Sequence, residues 1–211
     1  MNNLFALPSP QIGGDVAYTP AAVARACVCQ IRALCPEETA LAPWWEPCAG
    51  GGAFVRALAE LGHGAATELD PEAASVRAGL AVQGDALGGP PSGLNPVMIC
   101  TNPPFSDATA ILKMALAVPS CRVVALLLLQ SWIVCEGKGP EYRTPWVWGP
   151  EATLYSQSVL YPRIAFEGPG RSGKETDQRD YALCIWRRTP DGSWCWGPGP
   201  VLLHRLVWRR K

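Results

Sequence analysis

The sequence predicts an α/β protein built on a mostly parallel sheet, with helices on both faces and an antiparallel hairpin at its C-terminal end. Three observations carry that prediction. Helix-period and strand-like segments alternate over the first 130 residues, the order in which a parallel sheet collects its crossover helices. The longest uninterrupted apolar run, Val123 to Leu129, lacks alternation, as a strand does when both of its faces are buried. After Gln130 the pattern changes: strand-like segments at Val159 to Phe166 and Tyr181 to Arg187 flank a polar, glycine-rich loop over residues 167 to 180.

Composition narrows the class. With 211 residues, 48% hydrophobic and 17% charged, the chain can bury a core and reads as a single domain over residues 1–211. The 18 basic and 18 acidic side chains balance, which excludes a strongly basic protein that coats nucleic acid. Between Arg163 and Lys211, however, ten basic residues face five acidic ones, a local charge of +5. That quarter either meets a polyanion or forms a solvated face. Nine cysteines form an odd set without C-x-x-C spacing, and only His63 and His204 could join them in a metal site. Free thiols in a soluble cytoplasmic protein, with no metal, are therefore expected. The apolar run is far too short to cross a bilayer.

The elements follow in order. Tyr18-Thr19-Pro20 introduces a helix running to about Leu34, with Thr19 as N-cap and Pro20 at the first helical position. Trp44-Trp45-Glu46 ends a short buried strand, Gly50-Gly51-Gly52 turns, and Ala53 to Leu61 is a helix. A second strand (Ala65 to Leu69), a helix (Pro71 to Ala78) and a third strand (Ala81 to Gln83) come next. The strand Val97 to Cys100 leads directly into Thr101-Asn102-Pro103-Pro104-Phe105, followed by a helix from Asp107 to Ala117 and a strand from Arg122 to Leu129. Residues 137 to 151 read as a long loop, and Val201 to Trp208 as an edge strand.

Three features along this α/β unit suit a nucleotide-like ligand. The glycine turn after Glu46 lets a ligand approach the backbone closely, although it is neither G-x-G-x-x-G nor a phosphate-binding loop. Glu68 and Asp70 follow the second strand, where a carboxylate can accept both hydroxyls of a ribose. Asp85 follows the third, where it can receive an exocyclic amine. The fourth feature is more specific. In N-P-P-F two prolines fix two φ angles and remove two backbone donors, leaving a rigid arch of acceptors beside the Asn102 amide and the Phe105 ring. The Asn102 side-chain oxygen and the Pro103 carbonyl suit the two hydrogens of a planar amine, with Phe105 stacked on its ring.

These ordered motifs, Y-T-P, E-P-x-x-G-x-G-x-F, E-L-D-P, G-D and N-P-P-F, resemble those of S-adenosylmethionine-dependent DNA adenine-N6 methyltransferases of the small phage and bacterial type. The resemblance covers roughly residues 15 to 130. It implies a class I methyltransferase Rossmann-like fold, in which residues 15–130 are the cofactor-binding and catalytic core and 131–211 supply closing strands and substrate-contact loops. It also implies S-adenosylmethionine as cofactor. Thr19 and Pro20 would hold its methionine end, and Glu46, Gly50 and Gly52 its amino-acid moiety. Glu68 would bind its ribose and Asp85 its adenine amine, with Tyr18, Pro47 and Phe54 in the same site. Asn102, Pro103, Pro104 and Phe105 would form the catalytic pocket for an extruded adenine, in a bacterial cell or phage-infected host. Cys48 and the central glycine, Gly51, depart from the family's first motif.

Contact with DNA is expected from Arg143 and Trp146 in the first long loop and from Arg171, Lys174 and Arg179 in the second. The same aromatic loop would equally serve as a hydrophobic lid or a dimer contact. Three other functions share the pocket: adenine-N6 methylation of RNA, glutamine methylation of a protein, and a degenerate methyltransferase fold that only binds. The oligomeric state is not legible.

Overall fold

The computed structural model describes residues 17–41, 43–134, 144–168, 171–172, 178–196 and 201–208. The chain enters through α1 (Ala21–Leu34) and α2 (Pro36–Leu41), then alternates: β1 (Trp44–Glu46), α3 (Ala53–Leu58), β2 (Gly64–Glu68), α4 (Ala74–Arg77), β3 (Val82–Gln83), β4 (Met98–Thr101), α5 (Ala108–Ala117) and β5 (Val123–Leu129). The second part holds α6 (Gln130–Val134), α7 (Thr144–Val147), β6 (Ser156–Tyr161), a ribbon of β7 (Glu167–Gly168) and β8 (Arg171–Ser172), β9 (Tyr181–Arg187) and β10 (Leu202–Val207). The eight-stranded sheet has the order β10-β6-β9-β5-β4-β1-β2-β3. Strands β1 to β5 pair in parallel, while β9 runs antiparallel between β5 and β6. The expected antiparallel closure is present, and β10 adds to it by pairing in parallel with β6.

Alternation along the strands divides the core in two. Val123, Ala125 and Leu127 of β5 pack with Trp44, α1 and α3 on one face. Val124, Leu126 and Leu128 pack with Trp45, α5 and α6 on the other. A run apolar at every position is thus what a strand covered on both sides requires. Among the described residues no helix is long and apolar enough to cross a membrane.

Several boundaries differ from expectation for local reasons. The helix expected from Pro71 starts at Ala74, because Asp70 Oδ1 accepts the Glu72 N–H (2.9 Å) and its carbonyl the Ala73 N–H (3.1 Å). That Asx-type turn replaces the first helical turn. The strand expected over Val159 to Phe166 lies earlier, at Ser156–Tyr161. Pro162 has no N–H with which to extend the ladder, and Ser156 and Ser158, although buried, mask the strand's start. Within the expected loops, residues 144–147 form α7 and Glu167–Gly168 pairs with Arg171–Ser172. Thr19 is not the N-cap of α1. Pro20 takes that position without a side-chain hydrogen bond, its carbonyl accepting the Val23 and Ala24 N–H groups at 3.0 and 3.1 Å.

Candidate functional site

The C-terminal ends of the parallel strands open into one cavity of about 400 Å³, the position where open α/β sheets bind ligands. Its first wall is the turn after β1. Gly50 and Gly52 adopt left-handed φ angles of +49° and +78°, which glycine takes without steric cost. A Cβ on Gly51 would lie 3.1 Å from the Tyr18 ring, and one on Gly50 3.2 Å from it. The departure of Gly51 from the motif therefore has a local cause: Tyr18 lies flat over this turn. Below, the Trp45 indole N–H donates to Thr67 Oγ1 (3.1 Å), whose hydroxyl donates to the Pro47 carbonyl (3.2 Å). That chain ties the turn to β2.

The second wall comes from the end of β2. Glu68 accepts the Gly50 N–H at Oε2 (2.6 Å) and the Asp70 N–H at Oε1 (3.1 Å). Two backbone donors hold the carboxylate in one orientation at the cavity surface. Asp85 lines the cavity too and accepts the Leu87 N–H at 2.9 Å. Among the described residues the lining includes Glu68, Asp70, Asp85 and Asp107 but no Lys or Arg.

The third wall is the arch after β4. Asn102, Pro103, Pro104 and Phe105 all line the cavity. The Asn102 amide nitrogen donates to the Ala17 carbonyl (3.3 Å) and to Thr19 Oγ1 (3.1 Å). A carbonyl only accepts, so the NH₂ group must face Ala17, and the orientation of the amide follows. Among the described residues Asn102 Oδ1 is then buried without a partner. The Pro104 carbonyl is used by the Asp107 N–H (3.0 Å), whereas the Pro103 carbonyl takes no part in the turn's backbone hydrogen bonds. Phe105 meets Tyr181 at a ring-centroid distance of 5.9 Å, and Tyr181 meets Phe166 edge-on at 4.9 Å.

Most of the residues expected from the sequence converge here. Tyr18, Thr19, Pro47, Gly50, Phe54, Glu68 and Asp85 line the same cavity as the N-P-P-F arch. Gly52 and Pro20 shape the backbone next to it without lining it. Glu46 lies behind the wall, 1% exposed, with Oε1 accepting the Cys48 N–H (3.2 Å). Burial pushes its carboxyl well above the ordinary carboxylate range. Cys48 lines the cavity, and its thiol is likewise pushed up, first by burial and then by Glu46 and Glu68.

The outer residues sit apart. Trp146 is half-buried against the α5-side core, its carbonyl accepting the Trp186 indole N–H at 2.8 Å, and it does not line the cavity. Arg179 is exposed just before β9. Arg143 and Lys174 lie outside the described residues, as does the side chain of Arg171. Among the described residues no group of three His, Cys, Asp or Glu side chains could hold a metal ion. Two contributors had no local signal. The Ala17 carbonyl acts through its backbone, and Tyr181 reaches Phe105 only because β9 pairs with β5, placing Tyr181 opposite Leu129.

No protein-family model matches the chain, and no curated protein matches it. Solved structures are similar in fold. One is a protein of Pyrococcus horikoshii described as an RNA methyltransferase (TM-score 0.60, 17% identity, 83% of this chain and 86% of that one). Another is the 23S rRNA methyltransferase ErmE (TM-score 0.57, 18% identity, 82% and 70%). A third is the M protein of the type I restriction enzyme EcoKI (TM-score 0.56, 12% identity), where 90% of this chain covers 48% of the other. The chain spans about half of that last protein. At these identities the likeness is one of architecture, and with the strand order above it establishes that this chain has the Rossmann-like fold of methyltransferases.

Proposed function

We propose that this protein is an S-adenosylmethionine-dependent methyltransferase acting on the N6 amine of adenine in DNA. The state of Asn102 carries the reading: its NH₂ group is held by the chain, and its oxygen is a buried acceptor with no partner. An unsatisfied buried acceptor costs roughly 1–3 kcal/mol, and a donor amine in the cavity would recover that cost.

The cavity suits the cofactor. Among the described residues four carboxylates and no Lys or Arg line it, a setting that favours a sulfonium and an ammonium over the polyphosphate of NAD or ATP. The Gly50–Gly52 turn and Tyr18 would hold the amino-acid end, Glu68 the ribose and Asp85 the adenine amine. Bound there, S-adenosylmethionine supplies an electrophilic methyl group on a sulfur that departs as a neutral thioether.

The protein's part is orientation and charge. The N6 lone pair of adenine is delocalised into the ring, so the amine is a weak nucleophile. Asn102 Oδ1 and the Pro103 carbonyl would accept its two hydrogens, localise the lone pair and stabilise the positive charge that develops on nitrogen. The proton of the methylated nitrogen leaves readily, so no strong base is needed. Phe105, backed by Tyr181, would stack on a base extruded from the duplex or presented in a single strand. Arg143, Arg171, Lys174 and Arg179 are the proposed phosphate contacts, with Trp146 as a further proposed nucleic-acid contact. RNA is the second reading, supported by one observation: the chain covers most of the length of two RNA-directed structural neighbours.

The test is transfer of a labelled methyl group to duplex DNA, single-stranded DNA, RNA and a glutamine-bearing protein, with the product nucleoside identified. N6-methyladenine in DNA is expected. Transfer only to RNA or to glutamine would move the substrate class, and no transfer from S-adenosylmethionine to any acceptor would end the reading.

A further inference from the structure

We infer that Thr19 is a positioning residue for Asn102: together with the Ala17 carbonyl it holds the amide so that only its oxygen is left for the substrate, which makes the site selective for an amino group over a carbonyl. The inference rests on the proposed role of Asn102 and assigns Thr19 a task other than cofactor contact. Thr19 is 8% exposed, and its hydroxyl, where an N-cap bond was expected, instead accepts from Asn102 Nδ2.

The geometry explains how the clamp is built. Residues 17 to 19 enter as a short extended segment whose successive carbonyls point in opposite directions. Tyr18 exchanges both backbone hydrogen bonds with Glu167, at 2.8 and 2.9 Å. The Ala17 carbonyl therefore points the other way, to Asn102. Pro20 follows directly, and its fixed φ keeps Thr19 at the helix entrance. Gly168 packs against the far side of Tyr18, where a Cβ would approach the ring to 3.2 Å. The segment is thus braced against the β7–β8 ribbon on one edge and holds the reactive amide with the other.

Selectivity follows from the inventory of donors and acceptors. With both Nδ2 hydrogens engaged, Asn102 presents only an acceptor. An amino group can donate to it, whereas the carbonyl of a deaminated base would set two acceptors against each other. A flip of the amide, which would reverse the preference, would press Oδ1 against the Ala17 carbonyl. Sites built to hydrogen-bond one group reject its counterpart strongly for this reason.

The experiment uses the whole chain labelled with ¹⁵N-asparagine, which carries four Asn residues; Asn102→Ala assigns the Asn102 signal by its disappearance. Both Asn102 side-chain protons should exchange slowly in the native chain. In Thr19→Val one of them should become exposed to exchange, and Thr19→Ser, which keeps the hydroxyl, should restore its protection. In parallel, Thr19→Val should lower kcat on adenine about tenfold or more, leave affinity for S-adenosylmethionine within about twofold, and narrow the difference in binding affinity between adenine oligonucleotides and hypoxanthine ones, which have no amine to methylate. Unchanged protection in Thr19→Val, or a loss of cofactor affinity with kcat intact, would overturn the inference. If the native chain transfers no methyl group, the proposed reaction fails, while the exchange measurement still decides what Thr19 does.

Discussion

Two regions of the chain line the same cavity, and they are completed to different degrees. In the wall made by β1 and β2, the half-buried carboxylate of Glu68 accepts two backbone N–H groups, and the Tyr18 ring covers the glycine turn. In the wall after β4, two prolines contribute no N–H, Asn102 Oδ1 has no partner, and the Pro103 carbonyl stands outside the turn's hydrogen bonds. A surface that satisfies its own polar groups is ready to bind without rearrangement. Buried acceptors are nearly always paired in folded proteins, and of the buried side-chain atoms left without a partner among the described residues, Asn102 Oδ1 belongs to a residue that lines the cavity. On the proposed reading, the glycine turn and Glu68 hold the cofactor, and the arch after β4 meets the substrate.

The largest expected effect tests the arch after β4. Asn102→Ala should lower kcat by roughly 10²-fold or more, as loss of a transition-state hydrogen-bond partner does, while calorimetric affinity for S-adenosylmethionine changes little. Equal losses in both quantities would erase the distinction between the walls. Glu68→Ala should do the converse. Removing a charged acceptor costs about 1.5–3 kcal/mol, which corresponds to roughly 10- to 100-fold in cofactor affinity. Saturating cofactor should then recover most of the turnover; a kcat defect at saturation would place Glu68 in the chemistry.

A smaller effect probes Glu46, the carboxyl buried behind the glycine turn. Glu46 has a raised folded-state pKa, so the folded chain keeps a proton that the unfolded chain releases near about 4.3. The stabilisation is present below that unfolded value and is lost as pH rises through the folded one. Glu46→Gln mimics the protonated form, so denaturant melts should show its stability gaining on the native chain as pH rises from about 5 to about 8. Parallel curves would mean that Glu46 is ionised in the fold. The smallest effect concerns the outer surface. Loss of Arg143, Arg171, Lys174 or Arg179 singly should weaken nucleic-acid binding evenly across sequences and reduce the salt slope by about one unit. A sequence-dependent loss would point to base contact instead.

Much of this was legible because it is local. The helical period of residues 21–34, the glycine turn and the apolar run of β5 each have a cause within a few residues of chain. The errors also have causes. Ser156 and Ser158 are buried polar residues inside a strand, so alternation placed β6 too late. Thr19 beside Pro20 has every local mark of an N-cap, yet a residue 83 positions away takes its hydroxyl. Tyr181 carries no motif at all, and it enters the site through the antiparallel pairing of β9 with β5.

The amino-acid sequence by itself determined the order of strands and helices and the stiffness of the N-P-P-F arch. Proline's φ and its missing N–H are covalent properties that hold in any fold. Only the tertiary structure decided what the arch presents. Asn102 can turn either end of its amide toward a substrate, and the two ends differ as donor and acceptor. The choice falls to the Ala17 carbonyl and the Thr19 hydroxyl, 85 and 83 residues earlier in the chain. They reach Asn102 because the segment before α1 is pinned between the end of β4 and the ribbon after β6. No property of residues near Asn102 encodes that contact, since it exists only once the sheet has closed.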